Sequence, residues 1–238
     1  MEIWNYFAYN KKCMDDRMDF SGKVALIAGG TKGVGKEISL MLKNLGAEVF
    51  ALGRSSDFSR DDKIHFVQCD LEKENFKCLE SGPVKDLLLK TDILVFCFGP
   101  FLQKSILQTS DGDWQKMALL NYALPAAFLT HALENQVKKK WGRDLFFGGT
   151  KTESVRAFKT NCAYGGAKTA LSVLVKSAAV QHACDGITVN AVCPGFTHDA
   201  PENTRNVSEK ALAENAVHIL LHQELNGLIL TADFGWIP

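Results

Sequence analysis

The 238-residue chain has no net charge, no CxxC pair, no cysteine–histidine pairing of the kind that holds zinc and no apolar run of membrane-spanning length, and each absence removes a class of function. With 27 basic side chains against 27 acidic ones, there is no charge excess to hold a polyanion such as nucleic acid. The one dense basic run, Lys138-Lys139-Lys140, reads as the solvated end of a helix. The seven cysteines, at 13, 69, 78, 97, 162, 184 and 193, lack zinc-ligand spacing, and their odd count points to reduced thiols in a cytoplasmic compartment. Residues 1–20 lack the apolar core and small-residue cleavage site of an export signal. Six prolines, no repeat and no Pro/Gly/Ser-rich linker leave no support for a second domain. The expected organisation is an arm, residues 1–20, followed by one domain, residues 21–238. The aromatic side chains of the arm, Trp4, Tyr6, Phe7 and Tyr9, are expected to pack on the body or on a neighbouring subunit.

Hydrophobic residues make up 46% of the chain, and they are arranged as short runs alternating with helical patterns. The runs are KVALIAG, AEVFALG, IHFVQCD, DILVFCFG, DLFFGG, ITVNAVCPG and GLILTADFG. Between them, Lys36 to Leu45, Trp114 to Lys139 and Ala163 to Cys184 have helical composition or spacing, and Gly46 and Gly186 stand where helices hand over to strands. Continuous apolar strands suit a sheet covered on both faces. The pattern predicts a doubly wound α/β domain with about seven parallel strands. Ligands of such sheets bind beyond the carboxyl ends of the strands, so the residues following each run are the candidate site residues.

After the first run, AGGTKGVGKE places Gly29, Gly33 and Gly35 between a strand and a helix. Glycines let the backbone turn tightly and approach a pyrophosphate, while a helix N-terminus offers free N–H groups to the anion. The second run ends in Gly53, Arg54 and Ser55, where a site for NAD would carry a carboxylate for the ribose hydroxyls. Arg54, with Lys32 in the glycine loop, suits a 2′-phosphate through charge-assisted hydrogen bonds, which predicts NADP(H) over NAD(H).

Seven ordered pieces between Ser21 and Ile237 resemble the short-chain dehydrogenase/reductase family. They are AGGTKGVG, CDL, DILVFCFG, ALLNYALP, YGGAK, VNAVCPGF and NGLILTADFGW. The resemblance implies strand order 3-2-1-4-5-6-7 and, usually, a homotetramer. It also implies that Gly29, Thr31, Lys32, Gly33, Val34 and Gly35 wrap the cofactor phosphates. Asp70 and Leu71 would flank the adenine, Gly99 a ribose, and Pro194, Gly195 and Thr197 the nicotinamide. Tyr164 would give a proton to a carbonyl oxygen as NADPH delivers hydride, Lys168 would tune the phenol and anchor the ribose, and Asn121 would support a water relay to Lys168. The substrate is expected to be a ketone, small or carrier-tethered, with reductases of the 3-oxoacyl-acyl-carrier-protein type as a frequent kind in that family.

Residues four apart on a helix share a face, so Tyr164 and Lys168 can address one pocket. An ammonium beside a phenol, whose usual pKa is about 10, favours the phenolate. Three departures stand out. The position thirteen before Tyr164, usually serine in the family, is Lys151, flanked by Thr150 and Thr152. Aligning the strand makes Thr150 the counterpart, with Thr152 a rival and Ser154 a weaker one. Second, FCFG replaces the family's NNAG, which reads as a repacked strand end, and no cation adjacent in sequence marks Cys97 as reactive. Third, the segment after PGF is short and polar. A second functional class stays open: a dinucleotide-binding sensor or scaffold that keeps the fold without turnover.

Overall fold

The computed structural model describes residues 19–58, 63–200 and 202–236. Trp4, Tyr6, Phe7 and Tyr9 of the arm lie outside the described residues. The strands are β1 Val24–Ala28, β2 Glu48–Gly53, β3 His65–Gln68, β4 Ile93–Phe96, β5 Gly142–Phe147, β6 Ile187–Pro194 and β7 Ile229–Ala232. They form one parallel sheet in the order β3-β2-β1-β4-β5-β6-β7. The order reverses between β1 and β4, which opens a crevice at their carboxyl ends. Strands β4 and β5 are buried at every position, as strands covered on both faces must be.

The principal helices are α1 Gly33–Asn44, α2 Leu71–Glu74, α3 Pro83–Leu88, α4 Asp111–Ala118, α5 Leu124–Lys139, α6 Cys162–His182 and α7 Glu209–Leu221. One core layer holds Leu94, Phe96, Phe128, Phe146 and Val175, and the other holds Ile27, Ile38, Val95, Leu145 and Leu212. Phe128 is fully buried and meets the edge of Phe96 at 5.2 Å between ring centroids. This contact carries out the repacking expected of FCFG, since Phe96 faces the core between β4 and α5.

Helix ends follow local chemistry. Gly46 and Gly186 have positive φ (89° and 71°), a conformation open to glycine at little steric cost. α4 begins earlier than the apolar pattern suggests because Ser110 and Asp113 form a reciprocal capping box. The basic run does end α5, where Lys140 is left-handed, but two of its lysines are paired: Lys139 Nζ lies 2.7 Å from Asp92, and Lys140 meets Asp185. Among the described residues, no helix is long and apolar enough to cross a membrane, and no three His, Cys, Asp or Glu residues gather as a metal site.

Candidate active site

The turn after β1 is built by close approach. A methyl group on Gly29 would lie 3.0 Å from the Phe98 nitrogen, and one on Gly35 would lie 2.2 Å from the Gly29 carbonyl oxygen. Gly29 and Gly33 both have positive φ, and α1 starts at Gly33 with Val34 beside it, so its first N–H groups face the crevice end of β1. Thr31 is buried over the end of β2, where a methyl on Gly53 would meet its Oγ1 at 2.2 Å. Lys32, Arg54 and Ser55 are exposed along that same edge. Asp70 spends its carboxylate capping α2, accepting from the Glu72 N–H at 3.2 Å, and Leu71 is buried in the core beside it. The glycine loop, its flanking cations and the Asp70-Leu71 corner thus lie on adjoining strand ends, as the order β3-β2-β1 requires.

Across the crevice, α4 and α5 are joined by a wide π turn, Leu119–Ala123, which carries Asn121. Such turns distort a helix locally and recur at functional sites. Asn121 is fully buried, and its amide nitrogen donates to the Pro100 carbonyl at 3.1 Å. Its Oδ1 has no partner among the described residues. Lys168, also buried, donates from Nζ to the Phe147 carbonyl at 2.7 Å. Gly99 lies between the two: a methyl there would sit 2.5 Å from Asn121 Oδ1 and 2.9 Å from Lys168 Nζ. Tyr164 packs against the loop after β5, where a methyl on Gly149 would reach its hydroxyl at 2.8 Å, and the exposed ring of Phe101 stands edge-on to it at 5.0 Å.

The electrostatics differ from what the Tyr-Lys spacing alone implies. Burial pushes the Tyr164 phenol above its ordinary value, and the neighbouring Cys193 adds to this. Burial lowers Lys168 to about 8, opposed by Cys193 and Cys97. The expected phenolate is therefore not favoured by the protein alone, because burial and Cys193 both act against it. Tyr164 stays protonated at neutral pH. The structure also supplies the cationic neighbour that the sequence around Cys97 does not show, namely Lys168, yet burial still drives that thiol up to about 12. Cys193 rises to about 11, also through burial. Neither thiol is activated.

The loop after β5 separates its hydroxyls. Thr152 is buried, and its Oγ1 accepts from the Gly149 N–H at 2.8 Å and donates to the Gly149 carbonyl at 2.9 Å. Thr150 is half-buried with no hydrogen bond to its hydroxyl among the described residues, and Ser154 is exposed. Lys151 turns away through a left-handed φ of 59° and lies 2.7 Å from Asp233. On the far side, Pro194 ends β6 and Gly195 is buried against Asp233, with Thr197 half-buried beyond it. Of the two adjacent glycines in α6, Gly165 faces Phe158, where a methyl would meet the ring at 2.8 Å; nothing in the structure explains Gly166. Cys193, Phe101 and Asp233 are site neighbours that sequence reasoning missed, and none of them has a spacing signal.

A doubly wound sheet with a glycine-rich first turn, a buried Asn121 and Lys168 and a half-buried Tyr164 defines an α/β enzyme of the dinucleotide-dependent kind. The model of the family described as short chain dehydrogenase matches residues 23–211, and the chain belongs to the short-chain dehydrogenase/reductase family. It is 29% identical over 188 residues to a 3-oxoacyl-[acyl-carrier-protein] reductase of Aquifex aeolicus, covering 74% of each chain. It is 27% identical over 257 residues to a 2-dehydro-3-deoxy-D-gluconate 5-dehydrogenase of Pseudoalteromonas atlantica, covering 94% of this chain and 99% of that one. A solved short chain dehydrogenase/reductase family protein superposes with a TM-score of 0.79 at 26% identity, over 92% of this chain and 98% of the other. Membership makes the protein an oxidoreductase and implies a nicotinamide dinucleotide as its cofactor. The residues present fit such a group: the glycine cradle has no room for side chains, and Asn121 leaves a buried acceptor unpaired beside Lys168.

Proposed function

We propose that the protein reduces a ketone to an alcohol with NADPH, Tyr164 donating the proton and Lys168, Asn121 and Thr150 completing the set. The observation that carries this reading is the convergence of Asn121 Oδ1 and Lys168 Nζ on Gly99, with Tyr164 four residues before Lys168 on α6. When bound, the cofactor supplies the hydride. Gly29, Thr31, Lys32, Gly33, Val34 and Gly35 would hold its phosphates, with Arg54 and Ser55 at the 2′-phosphate, Asp70 and Leu71 at the adenine, and Gly99, Pro194, Gly195 and Thr197 along the ribose and nicotinamide. A phenol kept protonated by burial is an acid suited to a carbonyl oxygen that gains negative charge. Thr150 is the hydroxyl to polarise that oxygen, since Thr152 is committed to Gly149 at both its donor and acceptor sites. Lys168, lowered to about 8, can give and regain a proton near neutral pH, and the free acceptor of Asn121 can hold the water that resupplies it.

The proposed substrate class includes 3-oxoacyl groups on a carrier, since one relative is named a 3-oxoacyl-[acyl-carrier-protein] reductase. Self-association, to the tetramer expected from the resemblance, fits the exposed Val173 and Val180, seven residues apart along α6. A cytoplasmic setting fits the free cysteines among the described residues.

The test is NADPH oxidation with a carbonyl panel containing acetoacetyl-coenzyme A, a 3-oxosteroid, a vicinal diketone and a 2-dehydro-3-deoxy sugar acid. Wild type should turn over at least one, and Tyr164→Phe should lose turnover while still binding NADPH. Undiminished rates in Tyr164→Phe would refute the proton-donor role, and NADPH binding without any turnover would favour a sensor.

A further inference from the structure

Resting on that reading, we propose that the Lys151–Asp233 ion pair is a clamp that positions the Gly149–Thr152 turn against Tyr164. Lys151 stands where the family commonly has its serine, yet its ammonium lies 2.7 Å from Asp233 Oδ2, an ion-pair contact outside hydrogen-bond geometry, with both side chains largely buried (15% and 4% exposed). Asp233 is itself fixed: its Oδ1 accepts from the Gly235 N–H at 3.0 Å, and its Cα lies 2.8 Å from where a methyl on Gly195 would be. The pair therefore ties together the segments leaving β5, β6 and β7, the three strand ends on the Tyr164 side of the crevice.

Among the described residues, the turn that it holds is tied elsewhere only at its Thr152 end, whose carbonyl accepts from Ser172 Oγ at 3.3 Å and whose Oγ1 lies 3.7 Å from Cys193 Sγ. Lys151 adopts φ 59°, an uncommon conformation for a side-chain-bearing residue, and the turn is closed by Thr152 through its hydroxyl and by its N–H to the Gly149 carbonyl at 3.2 Å. Gly149, at the start of this turn, is what faces the Tyr164 hydroxyl, and Thr150 follows it directly. A shift in the turn moves both relative to the phenol. Lys151 is on this account a positioning residue: it acts through the turn, and its charge is neutralised by Asp233 and does not serve as an electrophile.

The variants Lys151→Met, Asp233→Asn and the double variant separate the possibilities. Asp233→Asn keeps an acceptor for the Gly235 N–H. In the cofactor-free protein, both single variants should speed hydrogen exchange of the Gly149 and Thr152 amides about 10-fold or more. Each should lower kcat by about 10-fold or more, since an ångström-scale misplacement can cost about 100-fold, with the NADPH KM within about twofold of wild type. The double variant should lose no more kcat than either single one, because one clamp is lost once. Lys151→Arg should restore most of the rate. Unchanged exchange in both variants overturns the clamp. Faster exchange with unchanged kcat, while Tyr164→Phe is inactive, overturns the positioning role and leaves the functional reading standing. Retained turnover in Tyr164→Phe refutes that reading whatever the exchange data show, and multiplicative kcat losses in the double variant would make Lys151 act independently of Asp233.

Discussion

Asn121 and Lys168 reach the same point from opposite sides of the crevice: a methyl on Gly99 would stand 2.5 Å from the amide oxygen and 2.9 Å from the ammonium. Neither neighbour is free to retreat, for Asn121 is pinned to the Pro100 carbonyl and Lys168 to the Phe147 carbonyl. Gly99→Ala should therefore displace both groups. Turnover should fall by about 100-fold, the scale of a small misplacement at reacting groups, with the fold retained. Steady-state rates alongside circular dichroism check this, and a near wild-type rate in a folded variant would show that the two side chains need not converge.

Arg54 is exposed at the end of β2, next to the loop that holds Thr31 and Lys32. If it meets a 2′-phosphate, a charged hydrogen bond of about 1.5–3 kcal/mol is at stake, roughly 10- to 100-fold in affinity. Arg54→Asp should weaken NADPH by that factor and leave NADH unchanged or tighter. Titrations of nicotinamide fluorescence with both dinucleotides measure the ratio, and an unaltered preference removes Arg54 from cofactor selection.

The sheet order was legible because β1 and β4 are continuous apolar runs, β5 ends in one, and the glycines sit at their ends, a local pattern with one topological outcome. Capping explains the main boundary error: Ser110 with Asp113 three residues later was a readable start for α4, ahead of Trp114. What could not be read depends on distant contacts. The π turn at Asn121 is a change of hydrogen-bond register within one helical pattern, and composition does not encode it. The burial that raises Tyr164 and lowers Lys168 comes from strands and loops far along the chain. Lys151 reads as a misplaced serine until Asp233, eighty-two residues later, is seen beside it.

Phe128 locks α5 onto β4 through its edge contact with Phe96, and it is fully buried. Truncation leaves a cavity the size of a ring between rigid elements, so Phe128→Ala should cost about 3–5 kcal/mol, whereas Phe128→Leu should cost less because it keeps most of the volume. Urea unfolding of the cofactor-free protein measures both. Equal costs for the two variants would mean that the aromatic contact, and not the filled volume, dominates.

Asp144 offers a pH dependence whose sign is fixed by burial. It lies inside β5, fully buried, with one oxygen 2.7 Å from the Gln136 amide and the other unpartnered among the described residues. Burial raises its pKa from 3.8 to about 7, against the opposing pull of the Gln136 hydrogen bond and the Arg143 charge. Between about pH 4 and pH 7 the unfolded chain has therefore released this proton while the folded one keeps it. Stability from this group must fall as pH rises through that window, because the folded state binds the extra proton. Asp144→Asn, which cannot ionise, should remove that slope and gain on wild type as pH approaches 7. Denaturation curves at half-unit steps from pH 4.5 to 7.5 make the comparison; parallel curves for the two proteins would show that Asp144 is already ionised in the fold at pH 4.5.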